Sequence, residues 1–222
     1  MSRTPVYPCY VDLDPFIDTD RLRALDAGIR LRLEQRLKDA QDLAFYTGPF
    51  LLDGRDPHLP GSRLVYLSQS AREQNYYDLD RTELWQPTRD AGLFSELIDF
   101  IATLPFEATG RMIIMYDDSG RPVSPHRDHD SRDLCHEFIW LRTNRAKPFY
   151  MLNPETGEKL YVRGHSAWFD TVNQYHGADG SSGLTFSIRV DGRFNDEFRR
   201  RIHFPHGNRA AAPAYWADPV RA

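Results

Sequence analysis

The sequence predicts an α+β protein that is mainly β, with N-terminal helices packed on a β-sandwich or barrel. Two segments before residue 106 carry apolar residues at helical spacing. From residue 109 onward, short runs rich in β-branched and aromatic residues alternate with turn-forming residues. Helices followed by a series of short strands are typical of a helical layer packed on an antiparallel β fold.

Composition narrows the class of protein. A chain of 222 residues suits one domain, and a hydrophobic fraction of 41% is enough to bury a core. The 28 basic and 32 acidic residues leave no basic excess to meet phosphates, so we expect no nucleic-acid partner. No apolar run is long enough to span a membrane, and the start "MSRTPVYPCYVDLDPF" lacks a signal core. Cys9 and Cys135 form no CxxC pair, so we expect a cytoplasmic protein with reduced thiols.

A first helix is predicted over residues 16–44, "FIDTDRLRALDAGIRLRLEQRLKDAQDLA". A side chain from Asp18, Thr19 or Asp20 is expected to cap its start, because short polar side chains accept hydrogen bonds from free backbone N–H groups. Five apolar residues recur at helical spacing and predict its buried face: Leu22, Leu25, Ile29, Leu33 and Leu37.

The next elements are a strand, a loop and a second helix. Residues 63–70, "RLVYLSQS", predict a short strand, and the polar, aromatic residues 72–90 predict a long loop. The second helix is predicted over 91–105, and Pro105 is expected to end it. Its predicted buried side consists of four residues: Leu93, Leu97, Ile101 and Leu104.

The second half of the chain predicts strands, a short helix and a tail. Six apolar runs between turn residues predict the strands: "GRMIIMYDD", "LCHEFIWLRTN", "KPFYML", "EKLYVRG", "HSAWFDT" and "GLTFSIRVDG". Residues 195–204, "NDEFRRRIHF", predict a helix, because acidic residues at its start and arginines at its end suit the helix dipole. Residues 207–222 are interpreted as a loose arm or a lid.

The segment "SPHRDHD", residues 124–130, concentrates groups that bind metals or carry protons. On a strand, side chains two positions apart share a face, so His126 and Asp128 are expected to converge while Arg127 and His129 point away. Together with a later histidine, here His176, they would form the two-histidine, one-carboxylate triad of non-haem iron(II) oxygenases. A crowded, solvated loop is the alternative interpretation, because a lone HxD match is a weak signal.

Four motifs in order resemble the iron(II)/2-oxoglutarate-dependent oxygenases, most closely the aspartyl/asparaginyl β-hydroxylase-like branch that includes bacterial proline hydroxylases. "GRPVSPHRDHD" resembles that branch's glycine-proline turn and HxD motif, and "CHEFIWLRTN" resembles its next strand. "GHSAWFDTVNQYHG" resembles the run that leads to its distal histidine, and "GLTFSIRVDG" resembles the strand with its co-substrate arginine. The resemblance covers residues 109–192, and the residues before 109 resemble no family that we can name.

The resemblance implies a fold and a domain organisation. It implies a double-stranded β-helix, the jelly-roll or cupin-like fold, over residues 109–192. Residues 1–108 would then form a helical and loop extension that supports this core, and residues 193–222 a short helix and tail. We therefore expect a single oxygenase domain over residues 1–222.

The resemblance also implies the site residues. Iron(II) would be held by His126, Asp128 and His176, and 2-oxoglutarate by Arg189, Ser187 and His136, with dioxygen as the second co-substrate. Two positions depart from the branch's pattern. His136 stands where the branch usually has an arginine, and Arg189 lies four residues after the usual arginine position. That even spacing keeps Arg189 on the same face as Thr185 and Ser187.

The implied activity is hydroxylation of a C–H bond in a small polar metabolite, for example an amino acid or its derivative, with release of succinate and carbon dioxide. Two alternatives stay open: hydroxylation of a peptide or protein side chain, and a cupin-like metal-binding module without enzymatic activity. Binding of 2-oxoglutarate separates the oxygenases from the module, and the size of the substrate separates the two oxygenases. The sequence leaves the oligomeric state and the substrate's identity open.

Overall fold

The computed structural model describes residues 8–38, 62–70, 81–128, 137–171 and 174–202. Several sequence predictions fall outside these ranges: the end of the first helix after residue 38, the first part of the 72–90 loop, His136, and the tail after residue 202.

The first predicted helix is present, but as two helices, α1 (Thr19–Ala24) and α2 (Asp26–Lys38). The Asp18 side chain caps α1 by accepting a 2.9 Å hydrogen bond from the Arg21 backbone N–H, which selects one of the three predicted caps. The break lies at Leu25, whose N–H donates to the Leu22 carbonyl in a tighter, 3₁₀-type turn. The predicted apolar face is confirmed: Leu22, Ile29 and Leu33 are buried, and Leu25 and Leu37 pack against the same core.

The second predicted helix also divides in two, α3 (Arg89–Leu93) and α4 (Ser95–Ile101). The backbone leaves the helical conformation at Phe94, so the two helices present different faces to the core. Leu97, Ile101 and Leu104 are buried as predicted, but Leu93 is 41% exposed and Phe94 is buried in its place. The prediction for Leu93 was wrong because it assumed one continuous helix.

Twelve strands lie in the described ranges, and each run predicted as a strand contains at least one. They are β1 (Val11–Asp12), β2 (Ser62–Tyr66), β3 (Ser68–Ser70), β4 (Trp85–Pro87), β5 (Phe106–Asp117), β6 (Val123–His126), β7 (Phe138–Leu141), β8 (Phe149–Leu152), β9 (Lys159–Tyr161), β10 (Ser166–Trp168), β11 (Tyr175–Ala178) and β12 (Thr185–Phe194). The predicted loop at 72–90 was wrong in its second part, where the 3₁₀ turn Thr82–Leu84, strand β4 and the start of α3 lie.

The strands form two main sheets and a small hairpin-like pair. The six-stranded sheet has the order β1-β10-β7-β12-β5-β2, the four-stranded sheet the order β6-β11-β8-β9, and β3 pairs with β4. Every pairing is antiparallel. Strands β5 to β12 divide evenly between the two main sheets, and β1 and β2 extend the edges of the larger one. The protein is thus mainly antiparallel β with few helices.

One apolar cluster joins the helices to both main sheets. Leu22 and Leu33 of the first helices meet Phe100 of α4, Phe138 of β7 and Met151 of β8 in this cluster, and each is fully or almost fully buried. The helices therefore cover a core that the sheets line, as the sequence predicted.

The predicted C-terminal helix is confirmed as α5 (Asp196–Arg201). The Asn195 side chain caps it by accepting a hydrogen bond from the Phe198 backbone N–H. A buried ion pair between Arg199 and Glu137, 2.7 Å between Nε and Oε1, fastens α5 to the residue before β7.

Candidate metal centre

The three sequence-predicted ligands lie together at one end of the four-stranded sheet. His126 ends β6 and His176 lies in β11, and the antiparallel register places these two residues directly opposite each other. Their ring centroids are 4.5 Å apart. Each of His126, Asp128 and His176 offers one ligand atom, and these atoms all lie within 4.8 Å of one another. In the described ranges this is the group of histidine, cysteine and acidic residues that could hold a metal ion.

Asp128 reaches the site by a different route from the one predicted. Strand β6 ends at His126, so Asp128 lies beyond the pleat that would have aligned the two side chains. Its backbone N–H instead donates a 2.9 Å hydrogen bond to the Thr171 carbonyl, just after β10. The predicted convergence is confirmed, but a contact with a distant loop produces it.

Both histidine rings are oriented for metal binding. The His126 Nδ1 lies 2.8 Å from the Ser124 carbonyl, and the His176 Nδ1 lies 3.1 Å from the Gln174 carbonyl. A carbonyl oxygen only accepts, so each Nδ1 donates to its carbonyl and each Nε2 is turned toward Asp128. Those two Nε2 atoms lie 3.7 and 3.1 Å from Asp128 Oδ1. The donor set therefore consists of two imidazole nitrogens and one carboxylate, which suits iron(II) and other divalent transition metals.

Gln174 holds the carbonyl that orients His176, and the sequence analysis missed it. Its side-chain oxygen accepts a hydrogen bond from the Cys9 backbone N–H, and its amide donates to the carbonyls of Leu152 and Tyr175. The side chain is buried, so these contacts fix the turn before β11. The sequence offered only one signal for this role, a glutamine two positions before the predicted ligand histidine.

The Asp128 carboxylate is kept ionised by its surroundings. Burial alone would raise the pKa of Asp128, but His176, Arg189 and His126 together outweigh burial and lower that pKa well below its usual range. Arg189 makes the closest of these contacts, 2.7 Å from Nη1 to Oδ2. Oδ2 thus faces arginine, and Oδ1 faces the two histidines.

Arg189 belongs to a longer run of buried charges. Its Nε and Nη2 each lie 2.9 Å from Asp191 Oδ1, and Asp191 Oδ2 lies 2.9 Å from Arg111 Nε. The Arg189 guanidinium also lies over the Phe138 ring, 4.1 Å from its centroid. Asp191 and Arg111 were missed by the sequence analysis, although alternate polar residues along β12 marked one face of that strand.

Two of the three residues predicted to bind 2-oxoglutarate lie in the described part of the chain. Arg189 is buried beside the predicted metal ligands, and three of its five N–H groups lie in contacts with Asp128 and Asp191. Ser187 is half-buried and shares the face of β12 that carries Arg189. His136 lies outside the described residues. The roles of all three toward 2-oxoglutarate stay predictions.

An aromatic wall borders the site on the side of His176. The Phe169 and Phe149 rings lie 5.0 and 5.9 Å from the His176 ring, centroid to centroid. Trp140 stacks on Phe149 at 4.5 Å. The wall packs the His176 ring in place and keeps water from that side of the site, whereas the His126 side chain is 32% exposed.

Comparisons with known proteins give distant structural likenesses. No family model matches the sequence, and no curated protein matches it. The chain is similar to a prolyl hydroxylase from Trichoplax adhaerens in complex with a hypoxia inducible factor peptide fragment, at 10% identity and a TM-score of 0.47 over 89% of this chain and 87% of that one. It is also similar to a Pseudomonas putida prolyl-4-hydroxylase, at 13% identity and a TM-score of 0.43 over 81% and 89% of the two chains.

A third similar structure is an oxidoreductase of the 2OG-Fe(II) oxygenase family from Burkholderia pseudomallei. Its identity is 13% and its TM-score 0.38, over 69% of this chain and 78% of that one. All three TM-scores are below 0.5, so the chemistry inferred for this chain rests on its own residues.

In the part of the chain that the structure describes, no helix combines the length and the apolar character that crossing a membrane requires.

Proposed function

We propose that this protein is an iron(II)- and 2-oxoglutarate-dependent oxygenase that hydroxylates a C–H bond of a small polar metabolite. One observation carries the proposal: His126 Nε2, His176 Nε2 and an oxygen of Asp128 converge within 4.8 Å, and both rings are held with Nε2 toward the shared centre. Two histidines and one carboxylate leave positions on the metal open for a co-substrate and dioxygen.

The proposed fold is a double-stranded β-helix with helices packed on it. Strands β5 to β12 provide eight antiparallel strands in two sheets, the number that a jelly roll uses. In this arrangement β6 and β11 belong to the smaller sheet, and β12 with its row of polar residues belongs to the larger one. The metal ligands and the proposed co-substrate residues would then face each other across the interior.

The proposed 2-oxoglutarate site uses Arg189, with Ser187 on the same face and His136 as a further contact. A planar carboxylate suits a guanidinium, because two N–H groups can meet its two oxygens. The co-substrate would share this guanidinium with Asp128 and Asp191 and would use the two N–H groups outside their contacts. A half-buried hydroxyl such as that of Ser187 would add a neutral hydrogen bond beside the charged one.

The residues of this chain have distinct tasks in the proposed reaction. His126, Asp128 and His176 would hold iron(II), and their backbone and side-chain partners fix the direction of each ligand atom. Bound iron with 2-oxoglutarate and dioxygen would supply the oxidation that converts a substrate C–H bond into C–OH: one oxygen atom of dioxygen would enter the product and the other succinate, with release of carbon dioxide. The wall of Phe149, Phe169 and Trp140 excludes water from one side of the ligands.

The decisive experiment is a screen of amino acids and related polar metabolites for substrate-stimulated succinate release. It uses protein loaded anaerobically with iron(II) and supplied with 2-oxoglutarate and oxygen. We expect release to rise with one class of metabolite and to be lost in His176→Ala. A protein that binds iron(II) but not 2-oxoglutarate would contradict the oxygenase and favour a metal-binding module. Stimulation by peptides alone would contradict the small-molecule substrate.

A further inference from the structure

The Asp128 carboxylate, a proposed metal ligand, lies at the end of a line of four charges, of which the other three are buried. From Asp128 the line runs through Arg189 and Asp191 to Arg111, with oxygen–nitrogen distances of 2.7, 2.9 and 2.9 Å. The side chains of Arg189, Asp191 and Arg111 are 8%, 0% and 9% exposed, whereas Asp128 is 19% exposed at the metal end. Two arginines and two aspartates cancel in formal charge, which is how buried ions are tolerated.

The geometry points to Asp191 as a positioning residue for the metal site. Both of its oxygens lie against arginine nitrogens, Oδ1 against Arg189 and Oδ2 against Arg111. It thereby fixes the Nε–Nη2 edge of Arg189, which leaves Nη1 directed at Asp128 Oδ2. Asp128 Oδ1 is then turned toward the two histidine Nε2 atoms. This inference rests on the proposed metal site and concerns residues outside its ligand set.

The register of the sheet explains why this line is rigid. Asp191 pairs with Phe138 of β7, and Arg189 pairs with Trp140 of β7 and Ile113 of β5, so both residues lie on a central strand with neighbours on both sides. The Phe138 ring lies under the Arg189 guanidinium at 4.1 Å and blocks movement toward β7. Arg111 comes from β5, beside the bulge where the β5–β12 register shifts after Val190. Three strands therefore restrain the group that aims Asp128.

The negative charge of Asp191 is a second reason to expect that this residue strengthens metal binding. A divalent cation among His126, Asp128 and His176 would lie close to the Arg189 guanidinium and be repelled by it. Asp191 offsets that positive charge from the side away from the ligands. Loss of the Asp191 charge would therefore weaken metal binding through both orientation and electrostatics.

The test is the affinity for cobalt(II), a stand-in for iron(II) that is stable in air, measured by calorimetry without 2-oxoglutarate. We expect Asp191→Asn to weaken cobalt binding by about ten- to a hundredfold, the range seen for residues that orient metal ligands. The visible absorption band of bound cobalt should also change, since it reports how the carboxylate coordinates. A purely structural role for Asp191 would lower stability and leave this band unchanged.

Asp90→Asn is the matched control. Asp90 forms an equally buried pair with Arg36, 3.1 Å between Oδ2 and Nη1, which joins α3 to α2 and includes none of the ligands. We expect this variant to lose stability and keep the cobalt affinity and spectrum of the unmodified protein. If Asp191→Asn does not fold, Arg111→Gln tests the same line from its far end, with an expected loss of about tenfold.

The possible outcomes separate this inference from the proposed function. Normal cobalt affinity and spectrum in Asp191→Asn or Arg111→Gln, with binding intact in the unmodified protein, would overturn the positioning role and leave the metal site standing. Absence of cobalt binding in the unmodified protein would overturn the metal site, and the positioning role with it.

Discussion

Glu137 and Asp128 each bind a buried arginine, and they differ in what their two carboxylate oxygens face. Both oxygens of Glu137 are taken up by the fold: Oε1 accepts from Arg199 Nε at 2.7 Å, and Oε2 accepts from Arg199 Nη2 and the Phe194 backbone N–H. Asp128 gives only Oδ2 to its arginine, and Oδ1 faces the Nε2 atoms of two histidines. The Glu137–Arg199 pair thus has both carboxylate oxygens bound within the fold, whereas the Asp128–Arg189 pair leaves Oδ1 facing the two other predicted metal ligands.

The surroundings of the carboxylate oxygens distinguish an ion pair that supports the fold from one that belongs to a candidate metal site. Glu137 is 6% exposed and connects α5 to the start of β7, and each of its oxygens accepts at least one hydrogen bond within the fold. Asp128 is more exposed, and its Oδ1 lies among side chains that each offer a potential ligand atom for a metal. Arginine contacts alone do not distinguish the two carboxylates, but the neighbours of the second oxygen do.

The largest effect is expected from replacing His176, one of the two proposed ligand histidines that face Asp128 Oδ1. His176→Ala should abolish turnover and weaken iron(II) binding by more than the roughly hundredfold loss expected for a residue that only orients a ligand. The control is His165→Ala. Its Nδ1 also lies near a backbone carbonyl, that of Arg142 at 3.0 Å, but His165 is not part of the ligand cluster. Anaerobic calorimetry measures iron(II) binding, and succinate release measures turnover. Full activity in His176→Ala would contradict the assignment of His176 as a ligand.

The next largest effect is expected from breaking the Glu137–Arg199 ion pair. Glu137→Gln should lower the free energy of unfolding by roughly 3 kcal/mol, because the buried Arg199 would keep only the exposed Asp196 as a counter-charge. Denaturant unfolding measures this loss. Cobalt affinity should be unchanged in the folded variant, since neither Glu137 oxygen faces the metal ligands. A large drop in metal affinity, with the fold intact, would show that the two pairs are coupled and would contradict the distinction drawn between them.

A smaller effect is expected from removing Arg189, which tests its proposed role in 2-oxoglutarate binding. Arg189→Ala should weaken 2-oxoglutarate binding by roughly ten- to a hundredfold, because a charge-assisted hydrogen bond contributes about 1.5–3 kcal/mol. The measurement is calorimetric titration at saturating metal, so that any change in metal affinity does not enter. Ser187→Ala provides a graded comparison, since loss of a neutral hydroxyl should cost less. An unchanged 2-oxoglutarate affinity in Arg189→Ala would move the anchor to His136 or elsewhere.

The smallest effect concerns a third carboxylate, Asp117, which pairs with a lysine. Burial alone would raise the pKa of Asp117, but Lys147 at 2.6 Å and Ser119 outweigh it and lower that pKa below its usual value. A lowered folded-state pKa stabilises the protein above the unfolded pKa of about 3.9, and the effect is lost as pH falls through the folded value. Asp117→Asn should therefore reduce stability by roughly 1 kcal/mol at pH 7.

The pH dependence checks the sign of that prediction. The stability difference between the unmodified protein and Asp117→Asn should shrink as pH falls below about 4, because protonation then removes the same charge. Glu107→Gln is the control, since its pair with Arg193 is exposed and 3.7 Å long, and surface pairs contribute little. A difference that grew on acidification would contradict the assigned direction of the pKa.

Local patterns were enough to predict most elements. Helical spacing identified the buried residues Leu22, Ile29 and Leu33, because the core needs an apolar stripe at that period whatever the rest of the fold does. The same reasoning failed at Leu93, since the backbone leaves the helical conformation at Phe94 and apolar spacing does not predict that break. The strand β4 was missed within a polar stretch, where its pairing with β3 stabilises an extended conformation.

The sequence by itself determined the chemical inventory of the site and most of its elements. It placed His126, Asp128 and His176 in a setting that predicts metal binding, because side-chain chemistry and strand alternation are local properties. Only the tertiary structure decided how they meet: the β6–β11 register sets the two histidines opposite each other, and Thr171 holds the Asp128 backbone. Arg189 lies 61 residues from Asp128, and Asp191 lies 80 from Arg111. Partners so far apart are chosen by sheet pairing and burial, since a buried charge requires an opposite charge wherever the fold brings one near.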